Sequence, residues 1–208
     1  MFYDWYINWK QKLEVYDFQS FSENHVLKAL GKERLDQTDL LALLSPAAQP
    51  FLEQMAQKAN RITVQNFGKA ISLFTPLYLA NYCSNKCVYC SFNACNSIVR
   101  GKLSLEEVRQ EGGVIAAMGL QHLLLLTGES RHQSGPDYIQ ACVEALRPNF
   151  ASLGIEVYPL EEDEYRSLYQ AGVDSLTLFQ ETYDEEIYAS VHLAGPKRNY
   201  HYRLEAPE

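Results

Sequence analysis

The stretch Pro76-Leu-Tyr-Leu-Ala-Asn-Tyr82 runs without a break into Cys83-Ser-Asn-Lys-Cys87-Val-Tyr-Cys90, and its reading decides the fold. An apolar segment of strand length delivers the chain into a loop that carries three thiols. Downstream, strand, loop and helix repeat. Ser104-Leu-Glu-Glu107 is a capping box that opens a helix with Leu105, Val108, Ile115 and Ala116 on one face. His122–Leu126 (HLLLL) is a continuous apolar run, the pattern of a parallel strand covered on both faces. Pro136 marks a helix start, and Ile139, Cys142, Val143 and Leu146 form that helix's apolar stripe. Gly154–Leu160 predicts a third strand, and Glu162–Ala171 a third helix stopped by Gly172 at the C-cap. Ser175–Gln180 (SLTLFQ) predicts a fourth strand. Alternating β and α units with short links imply an α/β fold of parallel strands with right-handed crossovers, in an open sheet or a barrel.

Upstream the rhythm differs. Leu35–Leu44, and Ala47–Ala59 after the Ser45-Pro46 break, space their apolar residues by three and four, so residues 1–75 read as a helical N-terminal arm. Its first stretch, Met1–Phe21, is rich in aromatics, expected to pack the arm onto a core. Residues 76–208 form the strand–helix domain. The whole chain has 208 residues and a formal charge of −8, a poor balance for gripping phosphate backbones, which argues against a nucleic-acid partner. Asp4, Lys10, Lys12 and Glu14 interrupt the N-terminus, unlike a signal peptide, and no apolar run approaches the ~20 residues of a membrane span. Five cysteines, four of them between Cys83 and Cys95, suit a reducing cytoplasm in which thiols bind metal.

The spacing C-x3-C-x2-C allows several chemistries. Structural zinc usually takes two separated ligand pairs; a second pair is absent, and Cys95 is the nearby fourth sulfur. A reactive dithiol of Cys87 and Cys90 leaves Cys83 unexplained. An iron–sulfur cube normally takes four cysteines, so three would leave one iron open to an exogenous ligand. Cys142, on a helix's apolar stripe, reads as a small hydrophobe. Beyond the cysteines, Gln180 and Glu181 end the fourth strand and Glu161 ends the third in the same way, where polar groups at strand C-termini line pockets. Arg203 can hold a carboxylate in bidentate fashion, whereas His192, Lys197 and Arg198 read as a solvated loop and helix end.

C-x3-C-x-aromatic-C directly after a first strand, with Tyr89 as the aromatic, resembles the radical S-adenosylmethionine superfamily. PLYLANYCSNKCVYCSF, HLLLLTGES, GIEVYPLEEDEYRSLYQAGV and LFQETYDEEIYASVHLAGPKRNYHYRLEAPE together resemble the 2-iminoacetate synthase family, the tyrosine lyases of thiamine thiazole synthesis, over roughly residues 60–208. Ser91 and Cys95 depart from the related pattern. The resemblance implies a TIM-type barrel whose Cys83, Cys87 and Cys90 bind a [4Fe–4S] cluster, with S-adenosylmethionine on the open iron. Thr127-Gly128-Glu129 stands where the superfamily's GGE-like motif binds the methionine ammonium. The implied reaction begins with hydrogen abstraction from the amino group of L-tyrosine by the 5′-deoxyadenosyl radical. Cα–Cβ cleavage then yields 2-iminoacetate and p-cresol. Implied partners are thiazole synthase and a reductant such as flavodoxin or ferredoxin. Four strands after residue 76 fall short of a complete barrel of about 250 residues, so the expectation is a C-terminally truncated chain holding about half a barrel. The alternatives are an inactive cluster-binding fragment and the sister tyrosine lyase of [FeFe]-hydrogenase maturation. A radical enzyme modifying transfer RNA is a third, disfavoured by the acidic charge.

Overall fold

The computed structural model describes residues 2–13 and 16–208 in full and residue 14 by its backbone; Met1 and Val15, within the aromatic N-terminal stretch, lie outside the described residues. The chain divides into two compact units, one spanning Asp4–Ile71 and the other built on Ser72–Glu208.

The first unit holds helices α1 (Phe2–Glu14, its first two residues counted with the other unit), α2 (Glu23–Gly31), α3 (Gln37–Leu44) and α4 (Leu52–Phe67). Asp36 caps α3 by accepting from Asp39 N at 2.9 Å while the Asp39 carboxylate accepts from Asp36 N, a reciprocal box that satisfies two orphan donors. The ammonium of Lys58 on α4 donates to Leu30 O at 2.8 Å and to Lys32 O, placing a cation where the α2 dipole ends. Val26, Ala48 and Phe51 form the core, with Leu30, Leu43, Ala47 and Met55 packed against it. The early aromatics stay outside that cluster. Tyr16 stacks on Phe21, Trp5 tilts against Trp9, and none is fully buried among the described residues.

The second unit is a four-stranded parallel sheet of β1 (Phe74–Ala80), β2 (His122–Thr127), β3 (Ser152–Glu156) and β4 (Ser175–Leu176), in spatial order 1-2-3-4. Each crossover is a helix: α5 (Leu105–Ala117), α6 (Pro136–Leu146) and α7 (Glu162–Ala171). Short helices α8 (Glu185–Val191) and α9 (Tyr200–Glu205) follow β4. A strand order that never reverses is that of a TIM-type barrel in progress, not of a doubly wound sheet with a switch point. Local chemistry sets the boundaries. The Ser104 hydroxyl and the Glu107 carboxylate cap α5 reciprocally, Pro136 occupies the first turn of α6, and Gly172 ends α7 at φ +113°, a left-handed turn that glycine adopts freely. Pro76 sits in β1 without loss because β1 is an edge strand and the missing N–H lacks no partner.

The core lies between the sheet and its crossover helices. Leu77 and Leu79 of β1, Leu123 and Leu125 of β2, and Leu153 and Ile155 of β3 meet Val108, Ile139, Val143, Leu146 and Leu168. At roughly 1.5–3 kcal/mol for each fully buried large aliphatic chain, this layer dominates the unit's stabilisation. The continuous apolar run of β2 does not reflect equal coverage of both faces. Leu123 and Leu125 are buried beneath the helices, whereas Leu124 and Leu126 stay half-buried on the opposite face.

Three expected strands change their limits. β1 starts two residues early, where Phe74 pairs with His122, and stops two residues early, after an irregularity in the pairing between Tyr78 and Ala80. β3 stops at Glu156 instead of residue 160. Its neighbour β2 turns at Thr127, and Pro159 has no N–H to donate to a ladder. β4 is cut to two residues because its partner β3 ends there; Thr177 N still reaches Ile155 O at 2.9 Å, and beyond it no ladder continues. Glu161 therefore does not end a strand, nor do Gln180 and Glu181.

Candidate functional site

The loop after β1 is fixed from three sides. Arg100 donates to Asn81 O at 2.7 Å, Phe92 O at 2.9 Å and Asn93 O at 2.7 Å, so one guanidinium staples both ends of the loop. Lys86 N donates to Ala194 O and Val88 N to Val191 O, forming a short bridge that pairs Cys87 with His192. The turn after β2 presses on it from beneath. A Cβ on Gly128 would lie 2.3 Å from Tyr82 O and 3.2 Å from Cys83 Cβ, so only glycine permits that approach.

This packing frames an open cavity of about 530 Å³ at the C-terminal ends of β1 to β3, the face on which barrel sites are built. Cys83, Cys87, Cys90, Tyr89, Thr127, Gly128, Glu129, Glu181 and Arg203 all line it. Cys83, Cys87 and Cys90 are free thiols, Cys87 buried and the other two half-buried. Burial pushes the Cys87 thiol above its ordinary pKa, while the nearby Lys197 cation pulls it back. The Glu129 carboxylate accepts from Asn85 Nδ2 at 2.6 Å through one oxygen. Thr127 Oγ1 lies 2.7 Å from Ser134 Oγ, which braces the turn. Glu181 accepts from Lys197 Nζ at 2.6 Å and sits at φ +72°, strained backbone for a residue with a side chain. Arg203 is buried and donates from Nε to Phe179 O at 2.5 Å, which leaves its terminal nitrogens for other acceptors.

Two expected pocket residues stand elsewhere. Glu161 is the N-cap of α7, where its backbone N–H donates to Glu164 at 2.8 Å and its carboxylate accepts from Tyr202 OH at 2.8 Å. The carboxylate at the true end of β3 is Glu156, which lines the cavity and is pushed up in pKa by burial and then by Glu181. Gln180 is absent from the cavity wall, and both polar atoms of its side chain are buried without a partner. His192 and Lys197 correct the reading of a solvated loop. His192 is fully buried, with Nδ1 2.8 Å from Tyr188 O and Nε2 2.6 Å from Tyr89 OH. Because a carbonyl only accepts, Nδ1 carries the proton and Nε2 accepts from Tyr89. Burial lowers the His192 pKa and raises that of Tyr89, so both stay neutral. Lys197 lies 5.6 Å from the Tyr89 ring centroid. Asn85, nearly fully buried, was visible in the sequence only as a polar residue between two cysteines.

Among the described residues no group of three or more His, Cys, Asp or Glu side chains is already drawn together around one point. A cubane presents separate irons to separate thiolates, and three cysteines spread along one cavity wall fit that arrangement. Cys95 is exposed and off that wall, and Cys142 is fully buried in the core with its pKa pushed up to about 11.

The class of protein follows from residues 77–208, which match the radical SAM superfamily: the chain belongs to that family, whose cofactors are a [4Fe–4S] cluster and S-adenosylmethionine. Among curated proteins it is 46% identical over 183 residues to 2-iminoacetate synthase of Escherichia coli (strain K12), covering 88% of this chain and 48% of that protein. It is 44% identical to the 2-iminoacetate synthase of Salmonella typhimurium (strain LT2) over the same shares. Among solved structures it superposes on HydG, a maturase of the [FeFe]-hydrogenase, with a TM-score of 0.88 and 28% identity, over 95% of this chain and 45% of that one. The chain thus spans about half the length of the relatives it matches. Among the described residues no helix is long and apolar enough to cross a membrane.

Proposed function

We propose that Cys83, Cys87 and Cys90 hold a [4Fe–4S] cluster, that S-adenosylmethionine binds beside it, and that the chain serves a lyase cleaving the Cα–Cβ bond of L-tyrosine to 2-iminoacetate and p-cresol. The observation that carries the reading is the single cavity shared by three free thiols, the Gly128–Glu129 turn and the Glu181–Lys197 and Arg203 charges. When bound, the cluster and S-adenosylmethionine supply one-electron cleavage of the sulfonium. The protein's own groups position and shield. Glu129, with one oxygen held by Asn85, offers the other to the methionine ammonium, and Gly128 brings its main chain close. Arg203 presents its free terminal nitrogens to a carboxylate. Tyr158, buried, and Tyr78 and Phe179, both exposed to solvent, contribute rings to the cavity wall. Glu161 and Gln180 have no contact role in this reading.

In the cell this reading places the chain in the cytoplasm, in thiamine biosynthesis, passing 2-iminoacetate to thiazole synthase and drawing electrons from a flavodoxin or ferredoxin. The test is anaerobic reconstitution followed by dithionite, S-adenosylmethionine and tyrosine. p-Cresol above the level of a Cys87→Ala control is expected, and equal levels refute tyrosine cleavage. A second reading, cofactor binding without turnover, rests on the three cysteines and the Gly128–Glu129 turn sharing one cavity. It predicts a loaded cluster and a blank p-cresol assay, and it fails if no iron is retained.

A further inference from the structure

Asn85 is 2% exposed, and its carboxamide is used at both ends. Nδ2 donates to Glu129 Oε2 at 2.6 Å, and Oδ1 accepts from the backbone N–H of Lys197 at 2.8 Å. Its own backbone N–H points at Cys83 Sγ, 3.5 Å away. The lysine segment approaches this closely because residue 195 is glycine. A Cβ there would stand 2.4 Å from Asn85 Oδ1 and 2.7 Å from Asn85 Cα, at a φ of +94°. Lys197 in turn grips Glu181 through Nζ. Residues separated by 44 and 112 positions in sequence therefore meet through one amide. An amide is the side chain that can do this, since it donates and accepts at once and carries no charge beside a carboxylate.

We infer that Asn85 is a positioning residue for the ammonium-binding carboxylate: it fixes Glu129 by one oxygen, turns the other to the cavity, and ties that geometry to the Gly195–Lys197 segment. The inference rests on the reading that Glu129 meets the ammonium of S-adenosylmethionine. Asn85 lines the cavity, but both ends of its amide are taken up by Glu129 and by the backbone of Lys197. Its effect on binding therefore runs through Glu129, and a role limited to holding the loop together would not.

The experiment is equilibrium dialysis of S-adenosylmethionine against the reconstituted full chain, with iron per chain measured for every variant. Asn85→Asp keeps the volume and the acceptor for Lys197 but replaces the donor with a second carboxylate facing Glu129. Binding is expected to weaken about tenfold or more, the scale of a lost charge-assisted hydrogen bond, with iron content unchanged. Asn85→Ala is expected to weaken binding in the wild-type background and to add less than about twofold in Glu129→Gln, because the two act as one unit. Wild-type affinity in Asn85→Asp, or full multiplication of the two single effects, overturns the inference while leaving the role of Glu129 standing. Should Asn85→Ala fail to load iron, Asn85→Asp carries the cycle; should both fail, Asn85 is a determinant of the loop alone and the inference falls. Wild-type binding in Glu129→Gln, or no binding by the wild-type chain, defeats the underlying reading instead.

Discussion

The segments that leave β1 and β4 flank the same site and are built in opposite ways. The β1 loop is over-determined: Arg100 holds four of its carbonyls, the 191–194 backbone pairs with it, and Gly128 and Gly195 admit close contacts. The segment after β4 is under-determined. β4 has two residues, Glu181 sits at positive φ, and the Gln180 amide is buried without a partner. Over-determination suits a loop that must present thiols in fixed positions. Strained backbone and an unpaired buried amide each cost stability where they stand. Substitutions that break the contacts bracing the first segment should therefore destabilise, and removal of the unpartnered amide in the second should stabilise.

The largest effect is expected at Gly195→Ala, where the added Cβ meets backbone and the φ is wrong for alanine; a loss of about 3 kcal/mol in urea unfolding is predicted. A loss below about 1 kcal/mol would mean that the 195–197 segment moves freely, and the contrast with the β4 segment would weaken. Next comes Arg100→Lys. A compact ammonium cannot reproduce a planar fork shared by several carbonyls, so about 2 kcal/mol should be lost, measured in the same way. At Gln180→Leu the sign reverses. Replacing an unpartnered buried amide by an apolar side chain of similar size should raise stability by about 1 kcal/mol, and a decrease would show that the amide is already satisfied. The smallest effect belongs to Cys95→Ser. The side chain is exposed and off the cavity wall, so iron content after reconstitution should not change.

What was legible in the sequence is what local chemistry controls. The α5 capping box, the Pro136 start and the Gly172 stop all act within one turn of their own residue. The three cysteines were legible because spacing alone puts them on one loop. Strand ends were less so, because a strand lasts as long as its neighbour does. The apolar character of Val157 and Leu160 gives no sign that β2 turns at Thr127 and leaves β3 without a partner, so the sequence points to Glu161, while the carboxylate at the end of β3 is Glu156. Asn85, His192 and Lys197 were out of reach for a different reason. Each matters through a contact with a residue 44 to 112 positions away, and neither periodicity nor composition encodes such a meeting.

The central claim is that three thiols, and not a fourth, organise an iron–sulfur centre in this cavity. Iron and sulfide per chain after anaerobic reconstitution test it most directly, comparing wild type, Cys95→Ser and the triple Cys83→Ala, Cys87→Ala, Cys90→Ala variant. About four irons per chain in the first two and almost none in the third is the predicted result. Equal iron in all three, or loss of iron with Cys95→Ser, would contradict it.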